Sequence, residues 1–169
     1  DSDPGLTHWF SASYIPSWNV STVVDPIWSE AEGVVSHVAG PGQQSLYFRY
    51  PLTGTFEMSA DVWEGGWAEG ALGFHGVVFE PVTLGSNSRI WSIGDGNQVA
   101  GTPVFNKREA FNRLTIKCSP TSVKYLVNGH LFYEEKNPSD TAPWLSLVAT
   151  NERKTAFKNI EIKGSPVIP

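Results

Sequence analysis

At 169 residues, 40% hydrophobic and 17% charged, the chain is long enough to bury a core as one domain. Its formal net charge of −5, with Lys107-Arg108 as the nearest thing to a basic cluster, excludes an extended nucleic-acid surface. No apolar run approaches the roughly 18 residues a membrane-spanning helix needs, and 16 Gly and 12 Pro beside 7 Trp, 5 Tyr and 9 Phe favour strands and turns over helices.

In chain order, Leu6 to Ile15 reads as a first strand stopped by Pro16, and Ser17 to Pro26 as a loop. Trp28 to Ala39 is an extended segment with a break at Gly33, followed by the turn Gly40-Pro41-Gly42. Gln44 to Tyr50 alternates Leu46, Phe48 and Tyr50 against Ser45, Tyr47 and Arg49, and Pro51 to Gly54 turns the chain. Thr55 to Trp63 is the cleanest strand: Phe56, Met58, Ala60 and Val62 face one way, and Thr55, Glu57, Ser59, Asp61 and Trp63 the other. Glu64 to Gly70 is a glycine-rich loop. Ala71 to Glu80 is a bent strand or a strand pair, with Gly73 and Gly76 as bend or bulge sites. Ser88 to Ile93 is a short strand before the turn Gly94-Asp95-Gly96-Asn97.

Phe111 to Glu135 reads as a β-meander. Leu114, Ile116 and Cys118 alternate with Thr115 and Lys117, Ser119-Pro120-Thr121 breaks the run, and Val123, Tyr125 and Val127 alternate in turn. Asn128-Gly129 is a hairpin signal, since a type I′ turn needs positive φ at both central residues. Trp144 to Ala149 and Thr155 to Gly164 are the last strands; Phe157 and Ile160, three apart, can both face a core only if the strand carries a bulge. The fold expected is an all-β, antiparallel jelly-roll sandwich of two packed sheets. Residues 1–169 form one domain, with 165–169 as a linker or tail.

Asn112 to Ile116, the hairpin Val127-Asn128-Gly129 and Phe157-Lys158-Asn159-Ile160-Glu161-Ile162-Lys163-Gly164 resemble concanavalin A-like lectin/glucanase domains, jelly-roll sandwiches frequent in secreted bacterial proteins. More narrowly, Leu46 to Leu52, the Phe56 strand after it and the closing Asn-Ile-x-Ile-Lys-Gly resemble a planctomycete-type extracellular domain of unassigned function. The resemblance spans residues 44–166 and implies an extracellular or periplasmic setting within a larger protein. The members of this superfamily that cleave β-glucans carry Glu-x-Asp-x-x-Glu on one strand, and this chain lacks it. The nearest approach, Glu57 and Asp61, sits four residues apart, about 13 Å along a strand, whereas paired glycosidase carboxylates lie about 5–9.5 Å apart.

The candidate binding residues are Tyr47, Arg49, Glu57, Asp61, Trp63 and Trp67. Trp63 and Trp67 offer flat apolar platforms to the C–H face of a sugar, and the charged groups bond its hydroxyls. The bland alternatives are a solvated strand surface and a Trp folded over the sandwich edge. Trp9, Trp28 and Trp144 lie in apolar runs and read as core. The four histidines show no metal-ligand spacing. Asp95 in Gly-Asp-Gly-Asn is a candidate calcium ligand, with a simple turn as the plainer reading. Cys118 reads as a small buried side chain. The expectation is a non-catalytic module that binds a poly- or oligosaccharide or docks a partner. Its rivals are a glycoside hydrolase or polysaccharide lyase with an unrecognised catalytic set, and a structural assembly subunit.

Overall fold

The computed structural model describes residues 9–13, 27–39, 44–64, 70–81, 88–92, 98–99, 107, 109–138, 143–150 and 155–169. Fourteen strands lie among them: β1 (Trp9–Ser13), β2 (Ile27–Ala31), β3 (Val34–Ala39), β4 (Gln44–Phe48), β5 (Thr53–Glu64), β6 (Gly70–Phe74), β7 (Val77–Pro81), β8 (Ser88–Ser92), β9 (Gln98–Val99), β10 (Ala110–Ser119), β11 (Ser122–Val127), β12 (His130–Lys136), β13 (Ser146–Ala149) and β14 (Thr155–Val167). They form two seven-stranded sheets of antiparallel pairs. The first, sheet A, runs β12-β11-β10-β5-β14-β3-β2; the second, sheet B, runs β1-β4-β13-β6-β7-β8-β9. The expected two-sheet sandwich is the observed one.

Period-2 alternation fixes which residues enter the sandwich. From sheet A come Phe56, Met58 and Val62 of β5, Leu114 and Ile116 of β10, and Tyr125 of β11; from sheet B come Leu46, Leu72, Phe74, Phe79 and Leu147. Aromatic rings lock the sheets together edge to face, Phe56 on Phe74 at 6.0 Å and Phe79 on Tyr125 at 5.3 Å, a geometry that adds roughly 0.5–1.5 kcal/mol per pair to the area term. Cys118 joins this core as a buried thiol. So deep is Tyr125 that burial pushes its phenol well above the ordinary range.

Turns set the register. Asn128 and Gly129 both take positive φ (49° and 83°), and Val127 pairs with His130 across them. Glu32-Gly33 and His75-Gly76 do the same between β2 and β3 and between β6 and β7. The segment from Ala71 to Glu80 is therefore a strand pair, bent at neither glycine: Gly76 closes the turn, and Gly73 lies flat within β6 because a Cβ there would overlap the Ser146 side chain.

Bulges do the remaining adjustment. In β12 the pairing steps from Leu126↔Leu131 to Tyr125↔Tyr133, leaving Phe132 as the extra residue, and both Phe132 and Tyr133 pack on the core. In β14 the shift falls between Lys158 and Glu161, where Asn159 takes φ 51°. This is the bulge the Phe157/Ile160 spacing required; Phe157 is fully buried and Ile160 packs beside the core. The expected tail from residue 165 begins later: Ser165, Pro166 and Val167 still pair with Thr55, Gly54 and Thr53.

Candidate functional site

Chain neighbours β4 and β5 belong to different sheets. Phe48 N–H donates to Leu145 O and Leu52 N–H to Pro143 O, both at 2.9 Å, and between these bonds the chain leaves sheet B for sheet A. Tyr47 and Arg49 therefore belong to sheet B, and Glu57, Asp61 and Trp63 to the outward side of sheet A. The core separates the two groups, and facing sheets pack about 10 Å apart. The single surface expected from these residues does not exist. Trp67, with the rest of its loop, lies outside the described residues, as does Asp95.

On sheet A the charged candidates serve one another. Glu57 stands between Lys117 (3.8 Å) and Lys163 (3.2 Å). Asp61 accepts from Arg113 Nη1 at 3.2 Å and from Asn159 Nδ2 at 2.7 Å, while the same Arg113 nitrogen donates to Asn159 O at 2.7 Å. Arg113 and Lys163 both reach Glu161 at 3.6 Å. This network clamps the β14 bulge, so Asp61 holds the fold. Trp63 meets the edge of Phe111 at 5.3 Å, and the Lys158 ammonium sits 4.1 Å over the Phe111 ring. Its ring is half-buried within the sheet's own surface.

Sheet B is built differently on its outward side. Ala71, Val78 and Val148 form a second apolar cluster, separate from the main core, with Ser45, Ser146 and Glu80 buried beside them. Directly paired positions run across all seven strands as Phe10, Tyr47, Ser146, Gly73, Val78, Trp91 and Gln98. The centre of this face is floored by small residues and closed. Its rim is open: Arg49 and Tyr50 are exposed, and Tyr47, His75 and Trp144 half-buried. The Phe48–Leu145 bond extends the β4–β13 ladder one step past Ser146 and brings Arg49 and Trp144 to the same end, where the His75-Gly76 turn also stands. The Tyr47 phenol is pushed up by burial.

Two of the six candidates, Tyr47 and Arg49, thus share the rim with a tryptophan. Trp144, expected in the core, stands at this rim; the core residue is its neighbour Leu145. The signal was present in the alternation of Leu145, Leu147 and Ala149 against Trp144, Ser146 and Val148. Among the described residues no group of three or more His, Cys, Asp or Glu could hold a metal ion, and no helix is long and apolar enough to cross a membrane.

The sandwich matches solved structures over nearly its whole length. The carbohydrate binding module CBM66 from Bacillus subtilis covers 94% of this chain and 96% of its own, with TM-score 0.66 and 12% identity. The alginate lyase AlgAT5 of polysaccharide lyase family 7 covers 95% of each chain, with TM-score 0.60 and 12% identity. The exoplasmic/lumenal domain of VIP36, in its Ca2+/mannose-bound form, covers 96% of this chain and 90% of its own, with TM-score 0.56 and 10% identity. The fold is concanavalin A-like. Residues 115–169 match the family described as "Protein of unknown function (DUF1581)". Comparison with curated protein sequences finds no match. The concanavalin A-like fold is shared by carbohydrate-binding modules, lectins and lyases, so function has to be argued from the site.

Proposed function

We propose that this domain binds a poly- or oligosaccharide without transforming it, through the rim of sheet B where Tyr47, Arg49 and Trp144 converge. The observation that carries this reading is the contrast in how the two outward faces use their polar groups. On sheet A the carboxylates of Glu57 and Asp61 are held in ion pairs. On sheet B an exposed guanidinium stands beside two half-buried aromatic side chains at the open end of a closed floor. An aromatic ring packs against the apolar C–H face of a pyranose or furanose, and a guanidinium donates to its hydroxyls.

Binding is favoured over hydrolysis by the chemistry of the rim. A retaining or inverting hydrolase needs two carboxyl groups about 5–9.5 Å apart, and among the described residues of the sheet B face Glu80 is the one carboxylate. The likeness to CBM66 over nearly all of both chains supports the same reading. An extracellular or periplasmic setting, in a protein with other domains, belongs to the proposal.

The test is a panel of soluble polysaccharides (dextran, mannan, levan, alginate, polygalacturonate) titrated against the purified domain. Tryptophan emission and product formation are followed together. The reading expects a saturable shift in emission with at least one polymer and neither new reducing ends nor unsaturated products. New products with any polymer would replace it with an enzymatic reading, and silence across the panel would remove it.

A further inference from the structure

A second feature lies on the other side of the sandwich. At one end of sheet A is a shallow depression of about 480 Å³, lined by Glu57, Lys117, Lys124, Lys163 and the hydroxyl-bearing turn residues Ser119 and Ser122, among others. Three ammonium groups and one carboxylate line it, in a chain whose net charge is −5.

Register explains how they come together. Lys124 pairs with Lys117, Lys117 with Glu57, and Glu57 with Lys163, so the four occupy one row across β11, β10, β5 and β14. At a strand spacing of about 4.8 Å the row spans about 14 Å. Two negative groups flank it: Glu134 pairs with Lys124, and Glu161 meets Lys163 at 3.6 Å. Lys117 and Lys124 are directly opposed like charges, an arrangement that destabilises a sheet. Lys117 has Glu57 on its other side, at 3.8 Å and nearer Lys163 (3.2 Å), and Lys124 has Glu134, so an anion over the depression would meet two opposed lysines whose carboxylates lie to either side. At the floor the Ser119 and Ser122 hydroxyls lie 3.3 Å apart, and Ser119 Oγ accepts the Ser122 N–H at 3.1 Å.

We infer that this row is an anion subsite that takes the sulfate or carboxylate groups of an acidic polysaccharide. A free ion would meet one or two of the lysines; a row about 14 Å long matches charges repeated along a polymer. The inference rests on the carbohydrate-binding reading for the nature of the polymer, and adds acidic glycans as ligands of this second face. The rim of sheet B and the lysine row are on opposite faces, so each can be broken alone.

The experiment measures binding of dextran sulfate, polygalacturonate and neutral dextran to the purified domain at low and high salt. Native protein is compared with the triple variant Lys117→Ala/Lys124→Ala/Lys163→Ala, with Glu57→Gln and with Trp144→Ala. The expected result is binding of one or both polyanions that weakens with salt and weakens about tenfold or more in the triple variant, a ratio equal to ~1.4 kcal/mol. Glu57→Gln should bind more tightly, since it removes the competing carboxylate; a structural role for Glu57 would give the opposite sign. It also keeps the test decisive if the triple variant fails to fold. Dextran sulfate preferred over polygalacturonate assigns the sulfate, and the reverse the carboxylate. Polyanion binding unchanged in the triple variant, or weakened in Glu57→Gln, would overturn the inference. So would displacement of the polymer by an equal concentration of inorganic sulfate. Loss of neutral glycan binding in Trp144→Ala with no polyanion effect of the lysines would leave the rim reading standing and this one refuted.

Discussion

The two outward faces of the sandwich are built from the same alternating strands and end in opposite condition. Sheet A presents charged side chains that pair laterally: Lys117–Glu57–Lys163 in one row, and Arg113–Asp61–Asn159 further along β5 at Asp61. Sheet B presents small and apolar residues at its centre, buried, and aromatic and cationic residues at its rim. A face that satisfies its own polar groups has little left to offer a neutral ligand. A face with a closed floor and an open aromatic edge has both a platform and donors. The difference explains why the strand with the most regular pattern, β5, is a poor place for a neutral-glycan site.

The faces should respond differently to mutation. The largest effect is expected at Gly73 on sheet B. A Gly73→Val side chain would be driven into Ser146 and Val148, with a cost of about 1–3 kcal/mol. Lys117→Ala on the exposed side of sheet A should stay within about 0.5 kcal/mol of native, since it also relieves the repulsion with Lys124. Urea midpoints of the two variants measure this. Equal losses would show that the centre of sheet B is not packed as described.

Next comes Asp61→Ala. It removes the acceptor that orders Arg113 and Asn159 at the β14 bulge. The pair is partly exposed, so the expected cost is about 1 kcal/mol. Faster amide exchange should be confined to residues 157–162. A loss of glycan binding with native exchange rates would return Asp61 to the binding site.

The smallest effect separates the faces by pH. Burial holds the Tyr47 phenol above its ordinary 10.0, so the folded chain keeps that proton longer than the unfolded one. Lys163 is raised above its ordinary 10.5, first by its hydrogen bond to Glu57 and then by Glu161. Both raised values give stability that is fully present below the unfolded pKa and is lost as pH rises through the folded one. Stability should therefore hold from neutral pH to about 9.5 and decline above about 10. Tyr47→Phe should remove the sheet B part of the decline. Lys163→Met should remove the Lys163 part, leaving that of the buried Tyr125, and the Lys163 part alone should shrink with added salt. A decline that begins near neutrality would contradict both assignments.

The comparison also shows what could be read from sequence. Alternation in β5, β10 and β11 is strict because each strand has one face in the core, so its inward residues were legible. The Asn128-Gly129 turn and the β14 bulge were legible for local reasons, positive φ in one case and the Phe157/Ile160 spacing in the other. Glu32-Gly33 and His75-Gly76 make the same kind of turn without the usual Asn or Asp signal. The site was less legible because it is a product of topology. Successive strands are usually neighbours, a default that would put Tyr47 and Glu57 on one sheet. The corner at residues 49–52 sends β4 to sheet B, where its partners are β1 and β13, and β13 lies about a hundred residues away in the chain. Only that pairing brings Arg49 and Trp144 together.

The central claim is that neutral glycan binds at the rim of sheet B and not beside Trp63 on sheet A. It is tested most directly by titrating whichever neutral polysaccharide of the panel (dextran, mannan or levan) binds into native protein, Trp144→Ala and Trp63→Ala, with thermal midpoints recorded in parallel. The account predicts that Trp144→Ala loses binding about tenfold or more (~1.4 kcal/mol) while keeping its midpoint. Trp63→Ala should bind as the native protein does, with a lowered midpoint from the lost Phe111 contact. Binding lost in Trp63→Ala and kept in Trp144→Ala would contradict it.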